Sequence, residues 1–164
     1  MTKTNPIAQL LADLEANKKQ KKRKPPYRKP QSILDLEELN HADRRNRYPN
    51  QPNLAYLRFS DKTANDLTKS IVKYIELCGG FASRINNTGL YRPELGRFVK
   101  SNSKRGIADI SAVHKSLSLS IEIKIGKDRM SEDQIKVQSA IERSGGRYFI
   151  ARDFTTFKEW FDGL

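Results

Sequence analysis

Four residues in the second half of the chain, Asp109, Glu122, Lys124 and Gln134, are of the types that handle phosphate groups and metal ions. Glu122 and Lys124 sit in Ile121-Glu122-Ile123-Lys124-Ile125, where apolar and charged residues alternate. Side chains two apart in a strand share a face, so the isoleucines turn into a core and the carboxylate and ammonium stand side by side. Upstream, Ala108-Asp109-Ile110-Ser111-Ala112-Val113 reads as a second strand, with Lys115-Ser116 as the reversal before Leu117-Ser118-Leu119-Ser120. If that reversal is a two-residue turn, Asp109 lies opposite Glu122 with Cβ atoms roughly 4.5–5.5 Å apart, a like-charge pair that destabilises unless something positive lies between. A divalent cation would relieve the repulsion. The turn carries neither Asn-Gly nor Asp-Gly, the usual signal for such a reversal.

Hydrolysis of a phosphodiester near neutral pH needs a deprotonated water and neutralisation of the phosphate charge. Mg²⁺ or Mn²⁺ held by Asp109 and Glu122 would supply both, through the oxygen ligands hard cations prefer. Lys124 would orient the water or stabilise the charge that develops on phosphorus. Taken singly, each residue reads as an ordinary surface charge, and Glu122 with Lys124 as an exposed pair. Their conjunction carries the chemistry. Gly106 permits an unusual backbone path just before Asp109, and Ser131 with Gln134 forms a capping box, S-x-x-Q, at the start of the next helix.

Lys104-Arg105-Gly106-Ile107-Ala108-Asp109, followed by Glu122-Ile123-Lys124 and then Gln134, resembles the PD-(D/E)xK nuclease superfamily and, within it, the VRR-NUC type of phage and bacterial nucleases. The resemblance runs from about Thr63 to the C-terminus. It matches Asp109 to the motif aspartate, Glu122 and Lys124 to E-x-K, and Gln134 to a glutamine opening the following helix. It implies that Gln134 belongs to the catalytic site, that the backbone carbonyl of Ile123 is a third metal ligand, and that products carry a 5′-phosphate and a 3′-hydroxyl. The motif proline is replaced by Ala108. In related nucleases an acid on the first helix assists the metal; here Lys69-Ser70 stands at that stretch and the nearest acids are Asp66 and Glu76.

The elements that must position these groups follow from periodicity. Leu67, Ile71, Tyr74, Ile75 and Cys78 share one face of a helix over about Thr63–Cys78, capped by Ser60 or Asp61 and stopped by Gly79-Gly80. Phe81–Asn86 reads as the first core strand and Asn87-Thr88-Gly89 as a turn. Leu90–Ser103 is a basic loop with Arg97 and Lys100, in which Pro93-Glu94-Leu95-Gly96 reverses a small hairpin. A helix is expected over about Glu132–Arg143, a last strand over Arg147–Ala151, and a closing helix whose Phe154, Phe157, Trp160 and Phe161 pack the core. The order predicts an α/β, restriction-endonuclease-like core: a mixed central sheet flanked by helices.

This nuclease domain is expected over residues 60–164, with residues 1–59 as a basic, partly disordered extension. Lys and Arg number 31 against 19 Asp and Glu, a net charge of +12, and the excess favours a polyanionic partner. Asn17–Pro30 holds eight basic residues, three prolines and no acid, a composition that cannot bury a core. A short helix over Pro6–Ala16 could dock a protein partner, and Gln31–Asn40 could form another. One cysteine, Cys78, excludes an intramolecular disulfide framework and zinc sites built from cysteine pairs. The absence of a long apolar run or a secretory leader points away from membranes and toward the cytoplasm, which the resemblance implies is that of a bacterium or a phage-infected host. The expectation is a Mg²⁺- or Mn²⁺-dependent endonuclease acting on DNA rather than RNA, including flaps or junctions, with Lys104, Arg105, Lys127 and Arg129 joining Arg97 and Lys100 in holding the nucleic acid. Its rival is a non-catalytic or partner-dependent nucleic-acid-binding protein on the same fold.

Overall fold

The computed structural model describes residues 26–85, 90–99 and 104–164. The helix expected over Pro6–Ala16, most of the basic run after it, the Asn87-Thr88-Gly89 turn and Lys100 lie outside the described residues. Helix α1 spans Gln31–Arg47 and α2 spans Ala64–Leu77. Strand β1 is Phe81–Arg84; Leu90–Arg92 (β2) and Arg97–Val99 (β3) form a separate ribbon reversed through Pro93–Leu95 and Gly96. Then come β4 (Ile110–His114), β5 (Leu117–Ile123), α3 (Glu132–Arg143), β6 (Arg147–Ala151) and α4 (Phe154–Asp162).

The main sheet runs β1-β4-β5-β6. Strands β1, β4 and β5 are antiparallel neighbours, while β6 returns through α3 to lie parallel to β5, as a crossover helix requires. The protein is thus mixed α/β, a four-stranded mixed sheet flanked by helices. One face of the sheet carries Ala82, Ile110, Ala112, Leu119, Ile121, Ile123 and Ala151 into a single core with α1, α2 and α4. Leu67, Ile71, Tyr74 and Ile75 line the buried side of α2 as the spacing predicts, and Phe154, Phe157 and Phe161 fill the core from α4. Their rings meet Tyr74 edge-on at centroid distances of 5.6, 6.5 and 5.7 Å. His114, at the hairpin end, lies against Phe161 at 4.6 Å.

One cap and one helix end differ from expectation. Thr63, not Ser60 or Asp61, caps α2, its hydroxyl accepting from the Asp66 N–H at 3.2 Å. Ser60 instead offers its carbonyl to the Ser70 hydroxyl, and Asp61 accepts from Tyr27 Oη at 2.7 Å and the Phe154 N–H at 3.2 Å. Helix α1 also continues seven residues past the expected end at Asn40. It lies in the segment read as an extension, yet it lays Ile33 and Leu36 fully buried into the common core. Beside them, buried Glu37 is held by Lys29 at 2.5 Å, Arg58 at 3.3 Å and the Phe59 N–H at 2.6 Å. Burial raises its pKa, but these partners outweigh burial and leave it below the usual carboxylate value. The arm from Tyr48 to Phe59 is thereby tied back onto α1. Among the described residues, no helix is long and apolar enough to cross a membrane.

The β4–β5 register decides what faces what. His114 pairs with Leu117 and Ile110 with Ile121, so the reversal is the two-residue turn that the sequence suggested. Lys115 (φ 46°) and Ser116 (φ 65°) both occupy the left-handed region, which costs a residue other than glycine roughly 1–2 kcal/mol. Replacing Lys115-Ser116 with Asn-Gly should therefore raise stability by about 1 kcal/mol or more, measured by denaturant unfolding. A loss of stability would mean that the turn geometry is wrong.

Candidate active site

Continuing the hairpin register by one residue beyond Ile110–Ile121 brings Asp109 opposite Glu122. Asp109 has left the ladder: its Oδ2 accepts from the Ile123 N–H at 2.9 Å, and its carbonyl accepts from the Ile85 N–H at 2.7 Å. The carboxylate is therefore pinned across the end of β5. Glu122 and Lys124 share the sheet face opposite the main core, with Lys124 Nζ 3.1 Å from Glu122 Oε1. Neither is the exposed strand-face charge that either would suggest alone, since both are at least 95 % buried.

Helix α3 covers this face, and its first turn closes the site. Ser131 accepts from the Gln134 N–H and Gln134 Oε1 accepts from the Ser131 N–H at 2.8 Å, completing the expected capping box. The same amide points its Nε2 at Glu122 Oε1. The cap therefore does not exhaust Gln134: one end of the amide closes the box and the other reaches Glu122. Gly106 presses the preceding loop against this turn. It sits at φ 76°, and a Cβ there would run into the peptide between Asp133 and Gln134, so only glycine lets the two segments meet.

Lys124 also reaches Asp128 at 3.4 Å, a partner that sequence reasoning missed although it lies four residues on in the following turn. Glu122 Oε1 takes both Lys124 and Gln134; Oε2 is buried with no hydrogen-bond partner. Burial, then the nearby charge of Asp109, push the Glu122 pKa up to about 7 despite the opposing pull of Lys124. The site thus concentrates more negative charge than it satisfies. A hard cation would fit here, between two carboxylates of which one, Glu122, has an orphaned oxygen. Among the described residues no group of three or more His, Cys, Asp and Glu side chains could hold a metal, so any cation here would rest on two carboxylates and main-chain or solvent oxygen.

Of the other expected site residues, Ile123 enters through its N–H to Asp109 and buries its side chain in the core. Lys104 and Arg105 are exposed in the loop that ends at Gly106, and Lys127 and Arg129 are exposed in the loop between β5 and α3. Both loops meet the first turn of α3, so these four cations border the site. Arg97 is exposed on the β2–β3 ribbon. Asp66 is set apart on α2, lining a cavity of about 240 Å³ with Arg58, Phe59, Ser60 and Lys69. Tyr148 was not anticipated. It lies on β6 opposite Ser120, buried, its Oη without a partner, and burial and then the charges of Glu122 and Asp109 raise its pKa. Only the parallel β5–β6 pairing reveals it.

No family model matches the chain, nor does any curated protein or solved structure.

Two substitutions test this geometry in metal-free protein. Because the folded state holds the Glu122 proton more tightly than the unfolded chain, stability falls as pH rises from about 4.5 to about 7. Glu122→Gln should accordingly stabilise the protein in EDTA at pH 8, by about 1–3 kcal/mol, with the gain fading toward pH 4.5. Gly106→Ala should destabilise by about 1 kcal/mol or more. Thermal unfolding across pH checks both.

Proposed function

We propose that the protein is a metal-dependent nuclease of the PD-(D/E)xK type. The observation that carries this reading is the convergence on one buried spot of Asp109, Glu122 with an unpartnered oxygen, and Lys124 3.1 Å away. Structure alone does not require such a cluster. A like-charge pair of one buried and one half-buried carboxylate is destabilising, and apolar residues at these positions would avoid that cost.

In this reading Asp109 and Glu122 hold Mg²⁺ or Mn²⁺, with the Ile123 carbonyl as a further oxygen ligand. Bound there, the ion would lower the pKa of a water enough for its deprotonation near neutral pH and would neutralise charge on the phosphate. Lys124, fixed between Glu122 and Asp128, offers its ammonium to the charge that grows on the phosphate oxygens. Gln134 holds Glu122 Oε1, which would leave the unpartnered Oε2 available as a ligand. Burial beneath α3 lowers the local dielectric and strengthens each of these interactions. Lys104, Arg105, Lys127 and Arg129 border the site and would grip the flanking backbone without reading sequence. We infer DNA as the substrate, in single-stranded, flap or junction form, and the cytoplasm as the place of action.

Cleavage of labelled single-stranded, duplex, flap and four-way-junction DNA, and of matched RNA, tests this with Mg²⁺, Mn²⁺ or EDTA. Metal-dependent cutting should appear and fall about 100-fold or more in Lys124→Ala. Metal-independent cutting that survives Lys124→Ala would overturn the site. Salt-sensitive binding without cutting would instead make the protein a binding module on this fold.

A further inference from the structure

The β2–β3 ribbon forms a sheet of its own, apart from the four-stranded one. Residues 91–97 are exposed throughout, Tyr91 and Leu95 among them, so neither face is buried at this end of the ribbon. A two-stranded ribbon without a packed face is at best marginally stable in water. Its register also sets Arg92 directly opposite Arg97. Opposed residues share a face with Cβ atoms about 4.5–5.5 Å apart, where like charges repel. Among the described residues neither guanidinium has an ion-pair partner, and Glu94 in the turn between them pairs with neither. A carboxylate can shed such repulsion by taking a proton, but an arginine stays charged. An anion between the two relieves it. The ribbon is also rooted beside the carboxylates of the candidate site. The chain enters it after Ile85, whose N–H donates to the Asp109 carbonyl, and leaves it toward Lys104 at the border of the site. Four residues separate Ile85 from Leu90, so β2 begins within about 18 Å of Ile85.

We infer that the ribbon binds duplex DNA, lying in the major groove of a duplex arm beside the cut with Arg92 and Arg97 on its phosphates. The inference deepens the nuclease reading and rests on it for nucleic acid as the partner. Two planar guanidiniums presented side by side match phosphate oxygens fork to fork. Width selects the duplex: a two-stranded ribbon fits the B-form major groove, about 12 Å across, whereas the A-form groove of duplex RNA is too narrow to admit it. Phosphate contacts of this kind fix register and orientation without reading sequence. The ribbon thus favours a substrate that carries a duplex arm, such as a flap or junction, over a bare single strand.

Fluorescence anisotropy in EDTA, with the full chain and its double variant Arg92→Gln/Arg97→Gln, tests the ribbon without any need for catalysis. The probes are a labelled DNA duplex, one of its single strands, and an RNA duplex of the same sequence. For the DNA duplex the variant should bind about 10-fold or more weakly near 0.1 M salt, and its plot of log affinity against log salt should be shallower by about 2, as two lost phosphate contacts require. Binding of the single strand and of duplex RNA should change by less than about 3-fold. No duplex binding by the parent, or equal affinity and slope in the two proteins, would overturn the inference. An equal loss on all three probes would overturn it too, because the pair would then meet any phosphate backbone outside a groove. So would a variant that keeps DNA but loses an acidic peptide or anionic vesicles bound by the parent. The two readings fail separately: a variant that cuts and binds duplex like the parent sinks the ribbon and leaves the nuclease standing, and a parent that cuts nothing but loses duplex binding with the arginines does the reverse. Thermal unfolding should show the variant as stable as the parent or more so, since a repulsion is removed; a loss of stability would assign the pair to the fold itself and overturn the inference.

Discussion

The arrangement turns on one unfavourable interaction, the approach of Asp109 to Glu122 at the end of the β4–β5 hairpin. The two carboxylates repel, and burial, then the charge of half-buried Asp109, push the Glu122 pKa up to about 7 despite the pull of Lys124. The fold must therefore hold the pair together by other means. Asp109 is fastened by the Ile123 N–H, and Glu122 is fixed in the middle of a strand whose alternate residues fill the core. Gln134 closes over it from a capped helix, itself held by the close approach of Gly106. Each support is backbone or neutral side chain, so none cancels the charge.

That division explains the layout of the two sheet faces. The inner face is aliphatic and aromatic, with α1, α2 and α4 supplying the packing that stabilises the protein. Among the described residues, α3 covers the outer face over β6 and the end of β5 and leaves β1 and β4 open, with Phe81 and Val113 exposed. Stability and chemistry are thus assigned to opposite sides of one sheet. Polar groups on the outer side need not serve the core, and there the orphaned Glu122 Oε2 and Tyr148 Oη are found.

What was legible in the sequence was local. Alternation in Ile121–Ile125, the apolar spacing of α2, and the Ser131–Gln134 box each encode their element within a few residues, and the Lys115-Ser116 reversal followed from strand lengths on either side. What escaped depended on distant contacts. The polar far half of α1 hid a helix running to Arg47, because Asn40, Arg44 and Arg45 interrupt its apolar stripe. Asp61 resembled a cap but is drawn to Tyr27 and Phe154. Tyr148 joined the site only through parallel pairing, for which no turn leaves a signature. The double duty of Gln134 was beyond sequence for a related reason: a capping box reads as self-sufficient until the glutamate beneath it is seen.

The most direct measurement is calorimetric titration of Mn²⁺ into the protein and into Asp109→Asn, without nucleic acid. The account predicts one Mn²⁺ site in the parent, lost or weakened about 10-fold or more in the variant. Equal binding by both proteins, or none by the parent, would contradict the claim that this carboxylate pair exists to hold a cation.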